Sequence, residues 1–124
     1  MTVLIVDDSS IFRRQLREDL EDAAIAVEEA GDAIAAMTKL RTGAPFDLMI
    51  CDVNMPGIDG LSFAESAEER TGRPLPPTFI LSAERSASAR ERARVIGAKA
   101  WIIKPYNKDA LIGAVRKVTG EGQA

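Results

Sequence analysis

Leu48-Met49-Ile50-Cys51-Asp52 is a run of four apolar residues that stops on a carboxylate, and Val3-Leu4-Ile5-Val6 followed by Asp7-Asp8 has the same form. Neither run alternates apolar with polar, which is the pattern of central strands in a parallel sheet covered by helices on both faces. Working outward, Ile25 to Glu28, Thr78 to Leu81 and Ala100 to Ile103 are three more strand-sized runs that end in polar residues. Helical periodicity fills the intervals. Phe12, Leu16 and Leu20 recur every four residues, Ala33, Met37 and Leu40 form a second stripe, and Leu111, Val115 and Val118 a third. Ala64 with Ala67, and Ala89 with Ala93, mark two weaker helices, and Ser10 is placed to cap the first. Strand and helix therefore alternate five times, which predicts an α/β fold, a (βα)5 doubly wound five-stranded parallel sheet.

A chain of 124 residues with 46% hydrophobic composition supports one domain with a real core and is too short for two ordinary ones. Residues 1–119 are expected to form that domain and 120–124 a flexible C-terminal tail. The net charge of -3 argues against a surface built for nucleic acid. No apolar run has the length of a membrane span, and the N-terminus lacks the basic flank and apolar stretch of a signal peptide, so a cytoplasmic, membrane-free protein is expected. Cys51 is the one cysteine, so no internal disulfide forms, and its apolar neighbours make it a buried bystander. Histidine is absent, which removes the commonest general base and zinc ligand and leaves carboxylates, lysine and hydroxyls for any chemistry.

In open parallel sheets ligands gather at the carboxyl ends of the strands. The first predicted strand ends in Asp7 and Asp8, the third in Asp52, the fourth in Ser82 and the fifth in Lys104-Pro105. Each alone is an ordinary turn or cap residue. Together, three carboxylates repel unless a cation lies among them, and an all-oxygen donor set suits Mg²⁺, with Mn²⁺ as a substitute. Lys104 adds a positive charge and Ser82 a hydroxyl donor, both suited to phosphoryl oxygens. The chemistry indicated is attack by a carboxylate on a phosphoryl group to give an acyl phosphate, and Asp52, which alone ends the third strand, is the expected nucleophile.

The stretches Asp7-Asp8-Ser9-Ser10, Asp52-Val53-Asn54-Met55-Pro56-Gly57 with Asp59-Gly60, Ser82-Ala83-Glu84, Gly97-Ala98 and Trp101-Ile102-Ile103-Lys104-Pro105 closely resemble the receiver domain of two-component response regulators, within it the single-domain CheY-like chemotaxis type. The resemblance spans nearly the whole chain. It implies a flavodoxin-like sheet of order 2-1-3-4-5 and a phosphoryl group received on Asp52 from a sensor histidine kinase. It implies Mg²⁺ held by Asp8, Asp52 and the main-chain carbonyl of Asn54, with Asp7 acting through metal-bound water. Lys104, Ser82, the main-chain amide of Ala83 and Asn54 would contact the phosphoryl oxygens. Ser82 and Trp101 would form the switch, coupled to an output face of the fourth helix, fifth strand and fifth helix that binds a protein target. Asn54 and Glu84 would tune loss of the phosphoryl group, here toward fast self-dephosphorylation, and the Lys104-Pro105 bond would be cis. A monomer and a role in chemotaxis, motility or related signalling complete the expectation.

Two departures matter. Ser82 replaces the commoner Thr and keeps the hydroxyl, while Trp101 is bulkier than the usual Tyr or Phe and its N–H needs a partner if buried, so it is either a switch or plain core. Arg85, Arg90, Arg92 and Arg94 lie near the same face and suit either an acidic partner or simple solvation. Among rival functions, a haloacid-dehalogenase-type phosphohydrolase needs Asp-x-Asp, and Asn54 stands at its second place, where an amide cannot protonate a leaving group. Flavin or dinucleotide binding is opposed by the first turn, which offers two carboxylates instead of G-x-G-x-x-G. A relay shuttle returning phosphate to another histidine protein, and a binding module indifferent to phosphorylation, remain as alternatives.

Overall fold

Each strand begins a unit in which a short apolar run passes through a polar loop into a helix whose first turn is capped by a side chain. The computed structural model describes residues 1–55, 57–83 and 86–120. In chain order the elements are β1 (Thr2–Val6), α1 (Ser10–Asp22), β2 (Ala26–Ala30), α2 (Ala33–Arg41), β3 (Leu48–Asp52), α3 (Gly60–Thr71), β4 (Thr78–Ser82), α4 (Ala87–Val95), β5 (Ala100–Ile103) and α5 (Lys108–Thr119). The five strands pair in parallel in the order β2-β1-β3-β4-β5, so β1 and β3 lie inside the sheet with β4.

Alternation of side chains along a strand divides the core into two layers. Leu4, Val6, Met49, Cys51 and Ile80 face α2, α3 and α4, through Met37, Leu40, Leu61 and Phe63 among others. Val3, Ile5, Leu48, Ile50, Phe79 and Leu81 face α1 and α5, packing on Leu16, Leu20, Leu111 and Val115. β1 and β3 thus serve both layers, which is why neither shows polar alternation.

All five helices are capped at their starts by side-chain oxygens: Ser9, Asp32, Asp59, Ser86 and Asn107 accept from Phe12, Ala35, Ser62, Ala89 and Ala110. The first cap is Ser9, not the expected Ser10. Ser9 is extended, with its Oγ 3.2 Å from the Phe12 amide, and Ser10 is already helical. The second strand also differs from the expected Ile25 to Glu28. Ala24 takes a φ of 62° and the Ile25 amide closes back on the Leu20 carbonyl at 3.0 Å, so Ile25 finishes the turn after α1 and pairing starts at Ala26. The strand continues to Ala30 because Glu28 and Glu29, at a sheet edge, are held by Lys39 and by Arg13 with Arg17. Most of the expected tail lies outside the described residues. Among the described residues no helix is long and apolar enough to cross a membrane.

Candidate functional site

The carboxyl ends of β1, β3 and β5 bring their terminal polar residues together. β1 delivers Asp7, which is buried with 1% exposure, and exposed Asp8; β3 delivers Asp52, at 4% exposure. One carboxylate oxygen from each of the three lies within 4.8 Å of the others. The Lys104 ammonium reaches across from the loop after β5 to Asp7 Oδ2 at 2.8 Å and Asp52 Oδ1 at 3.1 Å. The Lys104-Pro105 bond is cis.

The electrostatics follow from this crowding. Burial, then the neighbouring charge of Asp7, pushes the Asp52 carboxyl above its ordinary 3.8, with Lys104 pulling the other way and Asp8 adding to the rise. Burial works to lower the Lys104 pKa, but its bonds to Asp7 and Asp52 and their charges leave it raised, so the lysine is a fixed cation. One ammonium therefore serves three carboxylates and does not balance them. An all-oxygen donor set with uncompensated negative charge, open to solvent through Asp8, fits a hard divalent cation.

The local frame explains why these residues hold their places. Asp7 Oδ1 accepts from the Ser9 amide at 2.9 Å, and its carbonyl accepts from Arg13 Nη1 at 2.5 Å. Arg13 also pairs with Glu29 at 3.0 Å, tying the acidic turn to the neighbouring strand. Behind Asp52, the Gly60 amide donates to the Val53 carbonyl at 2.8 Å, and a Cβ on Gly60 would sit 1.8 Å from the Asp52 carbonyl oxygen. Only glycine permits that approach. Ser82 is buried at the end of β4, and its carbonyl accepts from the Lys104 amide at 2.9 Å.

The remaining expected residues are placed as follows. Asn54 and Ala83 are exposed in the loops after β3 and β4. Glu84 and Arg85, with Pro56, lie outside the described residues. Trp101 is half-buried on β5 and packs against the core layer shared with α3 and α4. Its indole N–H is buried and has no hydrogen-bond partner among the described residues, and the Arg90 guanidinium carbon lies 5.9 Å from its ring centroid. Cys51 is buried, and burial, then Asp52, Asp7 and Asp59, push its thiol far up, so it is the inert core residue expected.

Three residues near the site were given no role at the site from sequence. Gly60 entered only with Asp59, as part of the resemblance. Arg13 had no signal, because its role depends on a strand sixteen residues away. Phe12 was read only as part of the α1 stripe, yet the Lys104 ammonium lies 4.0 Å from its ring centroid.

A five-stranded parallel sheet of order 2-1-3-4-5, with paired acids, a central aspartate and a lysine at the carboxyl ends of its strands, defines a receiver-type signalling domain. The chain belongs to the response regulator receiver domain family, which it matches across residues 3–116. It is 37% identical over 114 residues to the transcriptional regulatory protein PdtaR of Mycobacterium tuberculosis, covering 91% of this chain and 54% of that protein. It is 33% identical over 116 residues to the response regulator MprA of Mycobacterium avium, covering 94% and 50%. The chain thus spans about half the length of these curated relatives. Among solved structures, chemotaxis protein CheY4 of Vibrio cholerae superposes with a TM-score of 0.84 at 33% identity, covering 94% of this chain and 97% of that one.

Proposed function

We propose that this receiver takes a phosphoryl group onto the Asp52 carboxylate and uses it to control binding of a protein target. The observation that carries the reading is the Lys104 ammonium bridging Asp7 and Asp52 from the end of the edge strand β5. A lysine brought from a distant strand to a crowded acid pair is suited to meet the oxygens of an incoming anion. The donor is the phosphohistidine of a sensor kinase, since this chain contains no histidine.

In the reaction an Asp52 oxygen attacks phosphorus in line, the new O–P bond forms as the donor's N–P bond breaks, and the electron pair returns to the departing imidazole, which takes up a proton. Lys104 swings from the carboxylates to a phosphoryl oxygen, and the Ser82 hydroxyl with the Ala83 amide and Asn54 bind the others. Asp8, Asp52 and the Asn54 carbonyl would hold Mg²⁺ or Mn²⁺, with Asp7 reaching it through water; when bound, that ion offsets the charge of the acids and of the transferring group. Asn54 and Glu84 orient the water that later hydrolyses the acyl phosphate, giving a short-lived signal.

The output face is α4, β5 and α5. Ser82 and Trp101 couple to it, and the unpartnered indole N–H supports a Trp101 that can exchange one packing for another. Chemotaxis is suggested by the name of CheY4 and transcriptional control by that of PdtaR, so the proposal is a phosphorylation-dependent protein contact in the cytoplasm, common to both. The test is labelling by acetyl phosphate with Mg²⁺. Wild-type protein is expected to label and Asp52→Asn protein to stay unlabelled; equal labelling of both would move the acceptor elsewhere.

A further inference from the structure

Among the described residues the Lys104 ammonium meets three side chains, of which two are the carboxylates already described. The third is the face of Phe12, 4.0 Å from nitrogen to ring centroid, well inside the range of a cation–π contact. The ring is held from both ends. Its backbone amide donates to Ser9 Oγ, which fixes it in the first turn of α1. Its other side meets the Tyr106 ring at 5.8 Å and 86°, an edge-to-face pair. Tyr106 in turn donates to Asp19 Oδ2 at 2.5 Å, and Asp19, at 8% exposure, also accepts from Gln15 at 3.2 Å. α1 and the loop before α5 are therefore clasped around the ring that faces the lysine.

We propose that Phe12 is a positioning residue for phosphoryl acceptance: its ring face holds the Lys104 ammonium at the mouth of the site, and Tyr106, pinned by Asp19, sets the ring's angle. The inference rests on Asp52 being the acceptor. Its physical basis is that the flexible four-methylene stem leaves the ammonium, here 2.8 Å from Asp7 and 3.1 Å from Asp52, able to move. A further attraction from the ring face biases it away from closing fully on the nucleophile and toward an incoming phosphoryl oxygen. A third carboxylate could hold it outward only by cancelling its charge. An aromatic face attracts the ammonium without accepting its proton, so the full positive charge stays available to the phosphoryl oxygens. Leucine in place of Phe12 would keep an apolar packing surface and lose the quadrupole.

The experiment measures the maximal rate and the donor saturation constant for labelling of the full chain by acetyl phosphate with Mg²⁺. Phe12→Leu is expected to lower the maximal rate about fivefold, the scale of one partly shielded cation–π contact, while Mg²⁺ affinity stays unchanged. Tyr106→Phe, which keeps the ring pair and loses the bond to Asp19, is expected to give a smaller loss of about twofold. Because Phe12→Leu could disturb α1, a second series replaces residue 12 with phenylalanine bearing one, two or three ring fluorines, which weakens the ring face stepwise at nearly constant shape. A rate that falls in step with fluorination supports the proposal; a rate flat across the series with wild-type labelling intact overturns it and leaves Asp52 as acceptor. If the wild-type chain does not label at all, both this inference and the acceptor assignment fall.

Discussion

Helices α1 and α4 both start beside the carboxyl end of the sheet, and they are held by very different means. α1 buries Leu16, Leu20 and Asp19, and its neighbour Ile25 is buried too. It is stitched down by Arg13 and Arg17 to Glu29 and by Asp19 to Tyr106. Among the described residues α4 buries Ala93 alone; its charged side chains reach Glu65, Ser62 and the α3 cap Asp59 through a half-exposed Arg92, and the Trp101 ring through Arg90. Beneath it Trp101 keeps an N–H with no partner among the described residues and borders a groove of about 420 Å³. The contrast teaches where a change in charge at Asp52 can be expressed as motion. An element with many buried contacts resists displacement, whereas one with few lies at the low-stability end of the molecule and shifts first. The site is clamped on the α1 side and open to rearrangement on the α4 side.

The largest expected effect breaks the clamp at Asp52 itself. Gly60→Ala places a methyl against the Asp52 carbonyl at a distance no real contact tolerates, with rigid backbone on both sides. It is expected to destabilise the fold by about 3 kcal/mol or more, the upper end for overpacking, and to reduce acetyl phosphate labelling with it; denaturant unfolding and labelling together check this. Next comes the direct contrast of the helices. Leu20→Ala is expected to cost about 3 kcal/mol and Ala93→Gly about 1 kcal/mol by urea titration. Amide exchange should find α4 opening well before α1. Equal exchange in the two helices would remove the asymmetry.

That asymmetry was partly readable before any coordinates. The apolar stripe Phe12-Leu16-Leu20 is strong and the Ala89-Ala93 stripe is weak, and burial follows the same order. The core of the site was also legible, because Asp7, Asp52, Ser82 and Lys104 each interrupt an apolar strand, and a parallel sheet brings strand ends together. What escaped notice depends on contacts between elements. Glu28 and Glu29 look like the end of a strand until basic side chains from the flanking helices pair with them. Ser9 and Ser10 are chemically equivalent as caps, and only the backbone decides between them. Gly60 belongs to the family resemblance, but its steric role is not visible until the Asp52 carbonyl is found against it. Phe12 has the right period for a core residue, and nothing in one dimension places a lysine ninety-two residues later over its ring.

A smaller effect tests the charge at the clamped end. Because the folded protein raises the Asp52 pKa above 3.8, the folded state binds the proton more tightly than the unfolded state does. Stability associated with protonated Asp52 is therefore present in full below pH 3.8 and is lost as pH rises through the folded value. Asp52→Asn, which stays neutral, is expected to be more stable than wild type at neutral pH without divalent ions, by less than the loss in Leu20→Ala, with the two curves converging in acid. Thermal melts from pH 3 upward in a chelator check the sign. Adding Mg²⁺ should raise the melting temperature of wild type more than that of Asp52→Asn, since the ion stabilises by binding the folded acids.

The smallest effect lies on the loose side. Arg90 stands over Trp101 at 5.9 Å on an exposed helix face, so its contact is worth about 0.5 kcal/mol. Arg90→Ala should barely change the unfolding midpoint, yet it removes a group that lies over the indole. As Trp101 is the chain's sole tryptophan, its emission reports this region alone. Emission in Arg90→Ala should shift toward that of wild-type protein treated with beryllofluoride and Mg²⁺ if both changes loosen the packing of the same indole. If beryllofluoride leaves emission unmoved in wild type and variant alike, Trp101 is fixed core, and the loosely held face must respond through α4 without it.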